Sequence, residues 1–172
     1  LVIAVLASVC GGLYAYGVPQ RYITALKVGD RSYSVAEYNY YYASVYQTYA
    51  YQAQNYKQQY GFSLGFDPAV DPAAQTTKQN DKEITYDEFF RNYVEETLES
   101  NSYYLDLASK ANMTLSDESK ESIEHTVTEI KDACKNSGYS ADRYISLLYG
   151  KGLNEKILRS LLEEQYLVSQ YR

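Results

Sequence analysis

The chain opens on an uncharged apolar run and then turns amphipathic. Residues 1–18, LVIAVLASVCGGLYAYGV, carry no charge, and Pro19, Gln20 and Arg21 end the run. Its length lies at the short end for a membrane span, and its terminal position is that of a signal sequence. Residues 1–22 therefore read as a signal anchor. A cleaved signal and a lipid anchor on Cys10 are the other readings, the latter disfavoured because Val9 is not the small residue such cleavage needs. From residue 23 onward the pattern is that of helices. Ala25–Tyr33 reads as a short extended arm with a turn at Gly29-Asp30. Ser34-Val35-Ala36-Glu37 is a capping box, and Val35, Tyr38, Tyr42, Val45, Tyr49, Tyr56 and Tyr60 recur as one helical stripe that Gly61 closes.

Residues 61–84 show loop signals: Gly65, Asp67-Pro68, Asp71-Pro72 and a polar run to Lys82. A connector of that length without periodicity is a mobile excursion or a functional loop. Thr85-Tyr86-Asp87-Glu88 starts a second helix, with Phe89, Phe90, Tyr93, Val94, Leu98, Leu105 and Ala108 as its apolar positions. Ser116 caps a third, whose stripe is Ile123, Val127, Ile130 and Cys134, ended by Gly138. Ser140 starts a short fourth helix, ended by Gly150. Leu153–Tyr171 forms a fifth. The expected fold is all-α, about five helices in an irregular bundle over 23–172.

Composition narrows the function. The 172 residues carry a net charge of -6, which argues against nucleic acid as a partner. One histidine and two cysteines give no zinc-site pattern and no disulfide framework. His125 lies between Glu121 and Glu129 at spacings of four, the pattern of surface ion pairs. A metal held by these three has no supporting ligands around it. Cys134 falls on an apolar stripe and reads as a small core residue. Glu95-Glu96 and Glu163-Glu164 read as solvated carboxylates. Asp67, Asp71 and Asp81 do not match a calcium loop. No glycine-rich phosphate loop is present. The sequence thus offers no catalytic residue, no metal site and no cofactor site.

Tyrosine is the outlier, with 22 residues, ten of them between Tyr33 and Tyr60. At about 100° per residue, Tyr40 and Tyr51 fall with Gln47, Gln54 and Gln58 on the side opposite the predicted core stripe. Only Glu37 and Lys57 are charged between Ser34 and Tyr60. Tyrosine offers large area with one hydroxyl at low entropy cost, and glutamine pairs with peptide amides in either sense. This face is either a surface for extended polypeptides or a packing face for a part of the chain beyond these residues.

The order of "KVGDRSYSVAEYNYYY", "ITYDEFFRNYVEETLES", "LASKANMTLSDES" and "SGYSADRYISLLYGKGLNEKILRSLLEEQYL" resembles the N-terminal chaperone region of the SurA/PrsA-type foldases. The likeness spans about Ala25–Arg172 and is most specific over Gly138–Leu167. It implies an ATP-independent chaperone domain that binds unfolded or translocating exported polypeptides. It also implies an extracytoplasmic, single-pass membrane-anchored location in a Gram-positive bacterium. Many members carry a parvulin-type peptidyl-prolyl isomerase domain, which these residues do not include. The chain then reads as an isomerase-less member or a fragment. The alternatives are a substrate-recruitment domain of a longer isomerase and a helical scaffold in an envelope complex.

Overall fold

The computed structural model describes residues 14–62 and 65–172. A short 3-10 turn, Pro19–Arg21, precedes a hairpin of β1 (Thr24–Val28) and β2 (Arg31–Ser34). Helix α1 (Val35–Tyr60) follows. A second 3-10 turn (Pro72–Ala74) leads to a second hairpin, β3 (Thr76–Gln79) and β4 (Lys82–Thr85). Four helices complete the chain: α2 (Tyr86–Lys110), α3 (Asp117–Ser137), α4 (Ala141–Tyr149) and α5 (Glu155–Tyr171). The fold is mostly helical, as expected, but two small antiparallel sheets correct the all-α reading.

The helix starts follow from local chemistry. The Ser34 amide donates to Glu37 Oε2 at 2.6 Å and the Glu37 amide donates back to Ser34 Oγ at 3.3 Å, the reciprocal pair of a capping box. The Glu88 amide donates to Thr85 Oγ1, the Ser119 amide to Ser116 Oγ and the Ile157 amide to Asn154 Oδ1. Helix α2 is closed just beyond its end by Asn112, which takes φ +52° while the Met113 amide donates to the Ala108 carbonyl.

The chain forms two compact units, one of residues up to Tyr40 together with Leu98–Arg172, the other Tyr41–Thr97. Helices α1 and α2 contribute residues to both. The core of the first unit includes Ala36, Leu98, Leu105, Val127, Ile145, Leu153, Leu158 and Leu161, all buried. Glu124 and Glu155 both hold Arg159 on its surface.

The end of the apolar run and the residues just after it belong to this unit. Gly17 is buried, and a Cβ there would lie 2.2 Å from the Gly152 amide nitrogen. Arg21 donates through Nε to the Gly152 carbonyl at 2.8 Å. Gly150 and Gly152 take φ of +108° and +97°, so the Tyr149–Leu153 turn needs both glycines. Through these contacts residues 17–21, expected as part of the anchor, pack against the Tyr149–Leu153 turn. Among the described residues no helix is long and apolar enough to cross a membrane. That finding overturns the single-pass anchored location. Residues 1–13, and with them Cys10, lie outside the described residues.

The second unit is built around Phe90, which has no exposed surface. The rings of Tyr42, Tyr46, Tyr49, Phe66, Tyr86 and Phe89 surround it at 5.2–6.2 Å between centroids. Edge and tilted contacts of this kind add to the area each ring buries. The segment 61–84, expected as one loop, instead carries the 3-10 turn and the β3–β4 hairpin. Strand pairing runs Thr76↔Thr85, Thr77↔Ile84, Lys78↔Glu83 and Gln79↔Lys82. Asn80 and Asp81 both take positive φ, +51° and +62°, as a two-residue hairpin turn requires.

Candidate functional site

Helix α1 runs without Gly or Pro from Val35 to Tyr60, and Gly61 ends it at φ +80°. Within the second unit one side of this helix packs on the aromatic core through Tyr42, Val45, Tyr46, Tyr49, Ala50 and Ala53. Burial pushes the Tyr42 hydroxyl well above the usual tyrosine range, and its hydrogen bond to Asp87 at 2.7 Å adds to the shift. Tyr49 is raised by burial in the same way.

The other side meets solvent. Gln47, Tyr51, Gln54 and Gln58 are all exposed, Tyr51 at 67%. Their spacing of four, three and four makes one stripe of about 16 Å. The last turn of the helix adds an aromatic group: Tyr56 stacks near Tyr60 (4.5 Å) and Phe62 (5.5 Å), and the latter two are more than half exposed. Core packing of Tyr60 was expected and does not occur. The surface so formed is uncharged apart from Lys57.

Tyr40 does not belong to it. Only 6% of Tyr40 is exposed; its ring lies 5.0 Å from that of Tyr149 and its hydroxyl donates to Gln165 Oε1 at 3.3 Å. The face predicted from Tyr40 to Gln58 is therefore covered at Tyr40, in the first unit, and open from Gln47 onward, in the second. Helical projection places residues on a side but does not say where along the helix a neighbour covers it.

The other candidate chemistries have ordinary structural settings. His125 is exposed and faces Glu129 at 3.5 Å, a spacing-of-four pair. Cys134 is buried in the core of the first unit. Asp67 and Asp71 each accept a local backbone amide, from Ala69 and Ala73. Among the described residues no group of three or more His, Cys, Asp or Glu side chains is placed to hold a metal ion. Glu164 differs from the solvated carboxylate expected: burial holds it above the usual carboxylate range, with Glu37 adding to the shift and Arg31 opposing it.

No family model, no curated protein and no solved structure matches the chain. The surface on α1 is therefore judged on its own chemistry. It offers ring faces, amide groups that both donate and accept, and almost no charge. Chemically, ring faces can cover apolar side chains and primary amides can pair with backbone amide groups in either sense.

Proposed function

We propose that the chain is an ATP-independent polypeptide-binding domain, a holdase of the kind found at the N-terminus of the SurA/PrsA-type foldases. The observation that carries this reading is the uncharged, exposed Gln47–Tyr51–Gln54–Gln58 stripe with Tyr60 and Phe62 at its end. A helix face turned to water for solubility alone ordinarily carries alternating charge. Here glutamine and tyrosine stand in those positions. Binding would proceed by transient burial of client side chains against the rings while the glutamines meet client amides. Affinity is weak at each contact and release is fast, as a holdase requires.

The test is light scattering of a chemically unfolded model protein diluted with and without the chain. Suppressed aggregation that declines with Tyr51→Ser, with helical circular dichroism unchanged, is the expected result. No suppression at several-fold excess of folded chain would overturn the reading and leave a scaffold role.

A further inference from the structure

A second surface of the Tyr41–Thr97 unit is a groove of about 460 Å³ between α1 and the chain that follows it. Tyr42, Ala43 and Tyr46 form one wall, and Pro68, Val70 and Pro72 form the other. Ala43 leaves a gap between two rings one helical turn apart, and Val70 is 41% exposed at the rim. The second wall is held in place. Tyr46 donates its hydroxyl to the Pro68 carbonyl at 3.0 Å. The Gln75 side chain donates to the carbonyls of Asp67 and Val70 and accepts the Asp67 amide, at 2.8–2.9 Å.

The groove is poor in hydrogen-bond donors. The hydroxyl protons of Tyr42 and Tyr46 are committed to Asp87 and to Pro68. The amides of Ala69 and Val70 both donate to Asp67, and Pro68 and Pro72 have none. Apart from the Asp71 amide, what remains is ring surface and acceptors, with the Asp71 carboxylate in the wall. Arg91, the cation nearest Asp87, is already paired with it at 2.9 Å. A ligand suited to such walls brings rings that need no donor, keeps its own carbonyls in water, and carries positive charge. A proline-containing segment in the extended left-handed helix meets the first two conditions, and a flanking Lys or Arg meets the third.

We propose that this groove binds proline-containing segments flanked by Lys or Arg, with the proline rings against Tyr42, Ala43 and Tyr46 and the cation at Asp71. The inference rests on the reading of the chain as a polypeptide-binding domain and names a sequence class for it. Ala43 and Gln47 are neighbours one turn apart, so a segment seated in the groove continues onto the exposed stripe.

The experiment is fluorescence anisotropy of the full chain with a labelled peptide of repeating Pro-Pro-Lys, against Ala-Ala-Lys and Pro-Pro-Glu peptides. Binding of Pro-Pro-Lys at least about tenfold tighter than either control is expected, a difference well outside titration error. Ala43→Leu, which fills the gap with a good helix former, should remove that preference. Asp71→Asn keeps an acceptor for the Ala73 amide and should weaken Pro-Pro-Lys binding several-fold, reducing its salt dependence. Equal binding of the three peptides, or a preference that survives Ala43→Leu in a chain of unchanged circular dichroism, would overturn the proposal. Its failure is distinct from that of the holdase reading. Loss of the proline preference with aggregation still suppressed sinks only the groove. Proline-selective binding without suppression sinks only the holdase.

Discussion

The Tyr42 hydroxyl and the Asp87 carboxylate meet at 2.7 Å, and the other oxygen of the same carboxylate takes Arg91 Nε at 2.9 Å. The pair joins α1 to α2 at the edge of the aromatic core in the second unit. A half-buried hydrogen bond to an ionised acceptor is stronger than a neutral one. Tyr42→Phe keeps the ring against Phe90 and removes only the bond. It should cost about 1–2 kcal/mol, read from the urea midpoint. An unchanged midpoint would show that water replaces the hydroxyl without loss.

Tyr40 and Tyr51 lie on one side of one helix and should behave oppositely. Tyr40→Ser removes a buried ring and its bond to Gln165, and a loss of about 3 kcal/mol is expected from comparable ring deletions. Tyr51→Ser touches an exposed position and should shift stability by no more than about 0.5 kcal/mol. Thermal melts of the two single variants decide it. Equal effects would contradict the burial described here.

Gly152 should tolerate no side chain. Its φ is +97°, and a Cβ would lie 2.8 Å from that of Gln20 and 2.9 Å from the Gly17 carbonyl oxygen. Gly152→Ala combines strain with a clash against backbone, and should destabilise by about 2–4 kcal/mol. Hydrogen exchange should show protection lost first around residues 17–21. Gly29→Ala, at φ +57° with nothing within 4 Å, carries the strain without the clash and serves as the comparison.

Tyr33 ties stability to alkaline pH. Its hydroxyl is buried and, among the described residues, makes no hydrogen bond of normal geometry. Burial pushes its pKa up to about 12 from 10.0; Glu164 and Glu37 add to the shift, and Arg31 and Ser102 oppose it. Below pH 10 both folded and unfolded chains keep the proton, and the contribution is fully present. Between 10 and 12 only the unfolded chain ionises, so stability falls as pH rises, by about 2–3 kcal/mol for this group. Urea titrations at stepped pH should show the decline, shallower in Tyr33→Phe. At neutral pH the same variant should be neutral or slightly stabilising, because it removes a polar atom without a partner.

Features governed by neighbours in the chain were legible in the sequence. The caps at Ser34, Thr85, Ser116 and Ser140 are made by residues three positions away, and each starts a helix where expected. The β3–β4 hairpin was not legible. Its strands, TTKQ and KEIT, are mostly polar and lack the apolar alternation that signals a strand, and its turn is Asn-Asp, without the usual glycine. The cover over Tyr40 was not legible because it comes from Tyr149 and Gln165, more than a hundred positions away. The groove had a faint signal in Tyr42 and Tyr46 at a spacing of four and Pro68 and Pro72 at the same spacing. Nothing in the sequence brought the two pairs together.

The scarcity of charge along the outer stripe of α1 has a kinetic consequence. Gln47, Tyr51, Gln54 and Gln58 project almost no field, so on the proposed reading a polypeptide would reach them by unsteered collision, at a rate that ionic strength barely alters. The groove beside them carries Asp71, and attraction to a cationic segment there weakens as added ions screen it. If the groove binds as proposed, raising salt should weaken its hold several-fold while leaving the stripe unaffected, which turns sodium chloride into a means of addressing one surface at a time.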